Sequence, residues 1–152
     1  MSMIIYILSL GKFKVNQNYK NLFEYYRKRI KFKTVLIELK TYKNNKKKAL
    51  EKLEILKYLK KQDHNNVVVL DAGGENFSSL KFADVLKKKI NSGCKRLNFI
   101  IGSEEGLDNF FKDSFFTLSF GNQTWPHLLV RVMLIEQIYR GLEIIKNSRY
   151  HK

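Results

Sequence analysis

LSFGNQTWPHLLVRVMLIEQIYRGLEII, residues 118–145, is the stretch whose reading decides the architecture of this chain. From His127 to Ile145 apolar residues recur on almost every side at 100° per residue, so the helix they form must be buried nearly all round. One small domain rarely encloses its last helix so fully, and packing against a second copy of the chain accounts for the surplus. The polar residues fall in two pairs. His127 and Arg131 lie about 40° apart on one side, and Glu136 and Arg140 about 40° apart on nearly the opposite side. On a solvated helix such pairs are worth a few tenths of a kcal/mol. A charge in a buried helix needs a partner or a function, which singles out Arg131.

Working outward from that helix, apolar runs alternate with longer amphipathic stretches, the pattern of an α/β domain. Strands are expected at Ile4–Leu10, Thr34–Leu39, Asn66–Asp71, Leu97–Ile101 and Phe116–Ser119. Helices are expected at Gln17–Lys31, Asn45–Lys61, Ser79–Asn91, Leu107–Lys112 and His127–Ile145, with Ser78 or Ser79 capping the third. Strands separated by helices imply a mostly parallel sheet with both faces covered. There is no repeat and no linker, and 152 residues suit a single domain spanning residues 1–152. The opening MSMIIYILSLGK has no basic residue ahead of its apolar run, so it reads as the first core strand and not a signal peptide.

Three loops follow strands at the end where open α/β sheets bind ligands: LDAGGE (70–75), IGSEEGL (101–107) and FGNQTWPH (120–127). Their glycines let backbone approach a ligand closely. None is a P-loop or a dinucleotide fingerprint. No Ser/His/Asp or Cys/His arrangement stands out, and the single cysteine, Cys94, excludes an internal disulfide. The formal net charge is +15, and residues 12–61 hold 17 of the 29 Lys/Arg but only 4 of the 14 Asp/Glu. So lopsided a distribution points to a polyanion, with nucleic acid ahead of membrane. Tyr25, Tyr26 and the RKR after them add aromatics to cations, a mixture that suits RNA.

These loops, with the final helix and the terminal YHK, resemble the RlmH family of SPOUT methyltransferases. LGK (10–12), EYYRKR (24–29), LDAGGENFSS (70–79), IGSEEGL and the long stretch quoted first carry the resemblance, which runs nearly end to end. Members of that family methylate N3 of a pseudouridine in helix 69 of large-subunit ribosomal RNA. The resemblance implies a C-terminal trefoil knot, a cytoplasmic homodimer built partly on the last helix, and S-adenosyl-L-methionine as methyl donor. Leu70, Gly102, Phe120, Gly121, Asn122, Gln123, Thr124 and Trp125 would hold the donor, and Tyr150, His151 and Lys152 would complete the active site in a pocket of the partner subunit. His151 is then the candidate base or proton relay. Arg131, Arg140 or Lys152 would steady the developing imide anion and grip phosphate.

Among the chain's departures from the family, two bear on charge and space at the site. Ser103 stands where the family has a second glycine, which would crowd the donor if that position needs positive φ. Glu75 reverses the charge of the family's usual lysine. A silent RNA-binding relative of the same fold, assisting ribosome maturation, is the alternative these departures favour. The assembled ribosome, with its preformed surface, is the expected substrate.

Overall fold

The computed structural model describes residues 3–13, 16–59 and 63–152. Branched and aromatic residues at alternate positions make the strands two-faced. Ile5 and Ile7, Val68 and Leu70, and Leu97 and Phe99 join one apolar cluster, whereas Leu8 and Leu10, Val67 and Val69, and Ile100 join another. This period of two places a sheet between two cores. The strands are β1 (Ile4–Leu10), β2 (Thr34–Leu39), β3 (Val67–Asn76), β4 (Arg96–Ile101) and β5 (Phe116–Ser119), all parallel in the order β2-β1-β4-β3-β5.

Five α-helices cover it among the described residues: α1 (Gln17–Arg27), α2 (Lys47–Leu59), α3 (Ser79–Asn91), α4 (Asn109–Ser114) and α5 (His127–Ile145). Phe23 of α1, Phe82 and Leu86 of α3, and Leu134, Ile135 and Ile138 of α5 fill the first core. Ile55 and Leu59 of α2 and Phe111 of α4 fill the second. α5 is wedged against α1 and α3. It meets α3 where Gly141 comes so close that a Cβ would lie 2.7 Å from Leu86 Cδ1.

Several boundaries differ from those expected. α1 stops at Arg27, four residues early, because the last-turn amides of Lys28 and Arg29 already close onto Glu24 and Tyr26 and the chain turns into β2. α2 begins at Lys47, since the Asn44 side chain captures the Lys46 amide in a turn; its expected last residues, Lys60 and Lys61, lie outside the described residues. α4 starts after Asp108, whose side chain accepts from the Phe110 amide, and so is displaced by two residues. Ser78 caps α3 as expected, accepting from the Lys81 amide at 3.1 Å.

The largest difference is β3. It does not end at Asp71 but resumes pairing with β5 at Glu75, so residues 71–74 bulge out of the ladder between Leu70↔Leu118 and Glu75↔Leu118. Gly74 makes the return possible, because a Cβ there would sit 2.6 Å from the Thr117 carbonyl oxygen. No helix among the described residues is long and apolar enough to cross a membrane, and no cluster of His, Cys, Asp and Glu among them could hold a metal ion.

Candidate active site

Beyond the C-terminal ends of β3, β4 and β5 opens a cavity of about 170 Å³. Leu70, Gly102, Phe120, Gly121, Gln123, Thr124 and Trp125 line it, seven of the eight residues expected to hold a cofactor; Asn122 does not. Parallel strands deliver three loops to the same edge. Gly102 lets two parts of one loop close on each other, since a Cβ would lie 2.9 Å from Leu107 Cγ and 3.0 Å from the Gly106 carbonyl carbon. Gly121, at φ +110°, turns the third loop under the cavity, and Ser119 Oγ pins it by accepting from the Gly121 amide (3.1 Å) and donating to its carbonyl (2.8 Å).

The cavity's charge runs against that of the chain. Asp71 and Glu104 line it, and among the described residues no lysine or arginine does, although the whole sequence carries +15. Asp71 is paired with Lys112 at 3.9 Å, and Glu104, exposed, faces His127; apolar walls, exposed backbone and these carboxylates suit a largely apolar ligand that carries positive charge. Ser103 lines the cavity without backbone strain, and Glu75 stays out of the lining. Among the described residues Asn147 is the only non-glycine at positive φ, so Ser103 carries no such strain, and its hydroxyl turns toward the buried Glu51 at 3.5 Å. Glu75 is exposed and lies outside the cavity lining.

His127 also lines the cavity. It does not cap α5; Pro126 occupies that position without a side-chain hydrogen bond. His127 Nδ1 lies 3.9 Å from Glu104. Burial first, then the nearby Arg131 cation, hold its imidazole below the ordinary histidine pKa, with Glu104 opposing them.

Arg131, one turn on, is fully buried. Its Nη1 donates to Glu38 Oε2 at 2.9 Å and its Nη2 to the carbonyls of Leu10 (3.0 Å) and Gly11 (2.8 Å), while the guanidinium packs over Phe13. It therefore knits α5 to the ends of β1 and β2. Burial lowers its pKa, which Glu38 partly offsets. With no exposed surface, Arg131 presents nothing to a phosphate in this structure; its contacts are Glu38, Phe13 and the carbonyls of Leu10 and Gly11.

The other expected catalytic groups gather at the far end of α5. Glu136 Oε1 accepts from Arg140 Nε at 2.8 Å and from the Tyr150 hydroxyl at 3.0 Å, and forms an ion pair with Arg140 Nη2 at 2.6 Å. Arg140 Nη1 lies 3.3 Å from His151 Nδ1. The tail reaches these partners because α5 ends in a Schellman turn. Asn147, at φ 58°, and Ser148 return their amides to the carbonyls of Ile144 and Glu143, and the chain doubles back along the helix. Tyr150 then stacks edge-on against Tyr139, with ring centroids 4.7 Å apart. Burial, then the bond to Glu136, push its hydroxyl pKa well up. Lys152, the last residue, is exposed.

The expected site residues thus form two groups. His127 and Arg140 are thirteen residues apart on one helix, about 20 Å at 1.5 Å per residue. Glu38 and Glu136, the carboxylates that orient the two arginines, were not among the expected site residues. Glu136 had a signal in its i,i+4 spacing to Arg140; Glu38, 93 residues from Arg131, had none. Asp71 and Glu104 were likewise visible only as loop residues.

A family described as "Predicted SPOUT methyltransferase" matches residues 3–151. A protein of Caldicellulosiruptor bescii named "Ribosomal RNA large subunit methyltransferase H" is 40% identical over 158 residues, covering 98% of this chain and all of the relative. Proteins of the same name from Flavobacterium psychrophilum and Mycoplasmopsis synoviae are each 36% identical over 156 residues, covering 98% and 99% of this chain and 99% and 100% of their own lengths. End-to-end agreement at this level, with the sheet order and loop placement above, establishes that the chain belongs to the SPOUT methyltransferase family, alongside the large-subunit ribosomal RNA methyltransferase H proteins.

Proposed function

We propose that this chain is an S-adenosyl-L-methionine-dependent methyltransferase that modifies N3 of a pseudouridine in helix 69 of large-subunit ribosomal RNA, acting in the cytoplasm on the assembled ribosome. The observation that carries this reading is the cavity beyond β3, β4 and β5, where seven of the eight expected donor-binding residues meet. The methyl donor supplies an activated methyl group on a good leaving group, so the protein's work is alignment and charge stabilisation. Leu70, Gly102 and the 120–125 loop hold the donor, and Asp71 and Glu104 favour its positive charge. The reading extends to the trefoil knot of the family, with the β5–α5 connection as its threaded part.

The catalytic groups come from a second copy. Beside the cavity, and sharing Leu118, Phe120 and Gly121 with it, is a wider cleft of about 550 Å³ lined by Leu22, Tyr26, Val132, Met133 and Glu136. An antiparallel pairing of two α5 helices centred near Met133 sets Arg140 of one copy against the N-terminal end of α5 in the other. That symmetric arrangement carries Tyr150 and His151 to the partner's cavity across the 20 Å that separates them within one chain. Arg140 steadies the imide anion. An arginine has no acceptor, so its contact makes His151 Nδ1 the acceptor and leaves the neutral ring's proton on Nε2. His151 in this setting is a relay: once Arg140 lets go, Nδ1 takes the imide proton and Nε2 releases its own to solvent. Arg131 acts as a positioning residue behind the cavity.

Calorimetric titration with S-adenosylmethionine, followed by transfer of labelled methyl to ribosomes lacking the modification, tests this directly. One site per subunit and stable labelling of helix 69 are expected. A variant lacking residues 150–152 and a Gly102→Val variant should each be inactive, yet regain activity when mixed, because a mixed dimer has one intact composite site. No donor binding by the native chain would overturn the enzyme reading and leave the silent RNA-binding relative. Failure of the mixture to regain activity would overturn the shared site.

A further inference from the structure

A charged groove of about 720 Å³ runs between α1 and β2, an edge strand of the sheet. Its walls carry Lys20, Arg27, Lys28, Lys31 and Lys33 against two carboxylates. Both carboxylates are already engaged: Glu24 accepts from Arg27 Nε at 2.7 Å, and Glu38 from Arg131 and the Phe13 amide. Lys20, Lys28, Lys31 and Lys33 are exposed, and among the described residues none of the four forms an ion pair. The floor is β2 itself, with half-buried Val35 and Leu36.

Two geometric facts give the groove a direction and keep it open. On α1, Lys20, Glu24, Arg27 and Lys28 fall within about 100° of arc, and Leu22 and Tyr26, which line the wide cleft, face about the opposite way. A second copy seated on the cleft therefore leaves the groove uncovered. One end of the groove is marked by Phe13 and Glu38. Glu38 holds Arg131, Arg131 holds the Gly11 carbonyl, and a Cβ on Gly11 would lie 3.7 Å from His127 Nε2 on the cavity wall. From there to Lys33 the groove follows β2 for about 17 Å at 3.3 Å per residue.

We propose that this groove is a phosphate track for RNA, holding the backbone that flanks the methylated base as it leaves the active-site end. Lysines act there as point charges without reading sequence, so the groove supplies affinity and register while the cavity supplies specificity. That the nucleic acid is ribosomal rests on the methyltransferase reading; the charge of the groove does not. The competing role for the same lysines is to guard an edge strand against pairing with another chain.

Binding of the full-length protein to a labelled large-subunit rRNA fragment, over a series of salt concentrations and without donor, separates these. The variant K20Q/K28Q/K31Q/K33Q should lose about tenfold or more in affinity near 0.1 M salt, and its plot of log K against log salt should be shallower by about 2 to 3. Its donor titration should match that of the native chain, which also reports that it is folded. A control with equal charge loss on and after α3, K81Q/K87Q/K88Q/K95Q, should bind RNA nearly as the native chain does. An unchanged salt slope in the groove variant, or an equal loss in the control, overturns the proposal. Absent donor binding with groove-dependent RNA binding intact would sink the methyltransferase reading and leave the groove standing.

Discussion

α5 carries two arginines nine residues apart, and they live in opposite environments. Arg131 is sealed beneath the ends of β1 and β2, holding one carboxylate and two carbonyls from segments 93 to 121 residues away. Arg140 is partly exposed, with its side chain 26% accessible, and is held by Glu136 on its own helix and by a tail that folds back onto it. Burial lowers the pKa of Arg131, whereas the hydrogen bond to Glu136 raises that of Arg140. A fully enclosed charge is committed to architecture, and a half-open one remains available for chemistry. Under the proposed function, the contrast places stability at one end of the helix and catalysis at the other.

Arg131→Met breaks the comparison most severely if it is right. Removing the guanidinium strips the carbonyls of Leu10 and Gly11 of their donor, so about 3 kcal/mol of stability should be lost in urea unfolding. Arg140→Met should cost less than about 1 kcal/mol by the same measurement. Equal losses would mean that the two environments are not different in kind.

The converse holds for turnover. Arg140→Met should lower methyl transfer by about 10²-fold or more, the size of effect seen when a group stabilising developing charge is removed, with donor affinity unchanged by calorimetry. Normal turnover in that variant would remove catalysis from the C-terminal end.

Gly74→Ala sharpens the boundary between scaffold and site. The added methyl meets the Thr117 carbonyl at 2.6 Å, backbone that cannot swing aside. About 1–3 kcal/mol should be lost through overpacking, and donor affinity should fall as the 71–74 bulge shifts. Intact donor binding despite the lost stability would show that the bulge is architecture alone.

The smallest effect expected is one of pH. His127 is held below its ordinary pKa of 6.5 by burial and Arg131, while Glu104 pulls it back up and Lys47 adds to the lowering. Below 6.5 the unfolded chain takes up the proton that the folded chain resists, so this contribution is present above pH 6.5 and lost as pH falls through the folded value. His127→Gln should therefore flatten part of the acid limb of stability between pH 7 and 5. Glu104→Gln should move the His127 titration, followed by NMR, further down. An upward movement would mean that Glu104 does not face the ring.

Much of this molecule was legible in its sequence for local reasons. Apolar runs marked β1, β2 and β5 to their ends and β4 to within one residue of its start at Arg96, and the all-round apolar character of 127–145 marked α5, because side-chain period follows directly from backbone geometry. The loops that build the cavity were placed because parallel strands present their C-terminal ends together. The extension of β3 was hidden, since two glycines read as a turn until Thr117 is known to press against one of them. The tertiary structure alone decided which arginine is buried. The sequence asks for a partner for Arg131 but names none; the difference from Arg140 comes from Glu38 and the carbonyls of Leu10 and Gly11, which distant parts of the chain bring to one of them, and the free energy of a charge depends on what surrounds it.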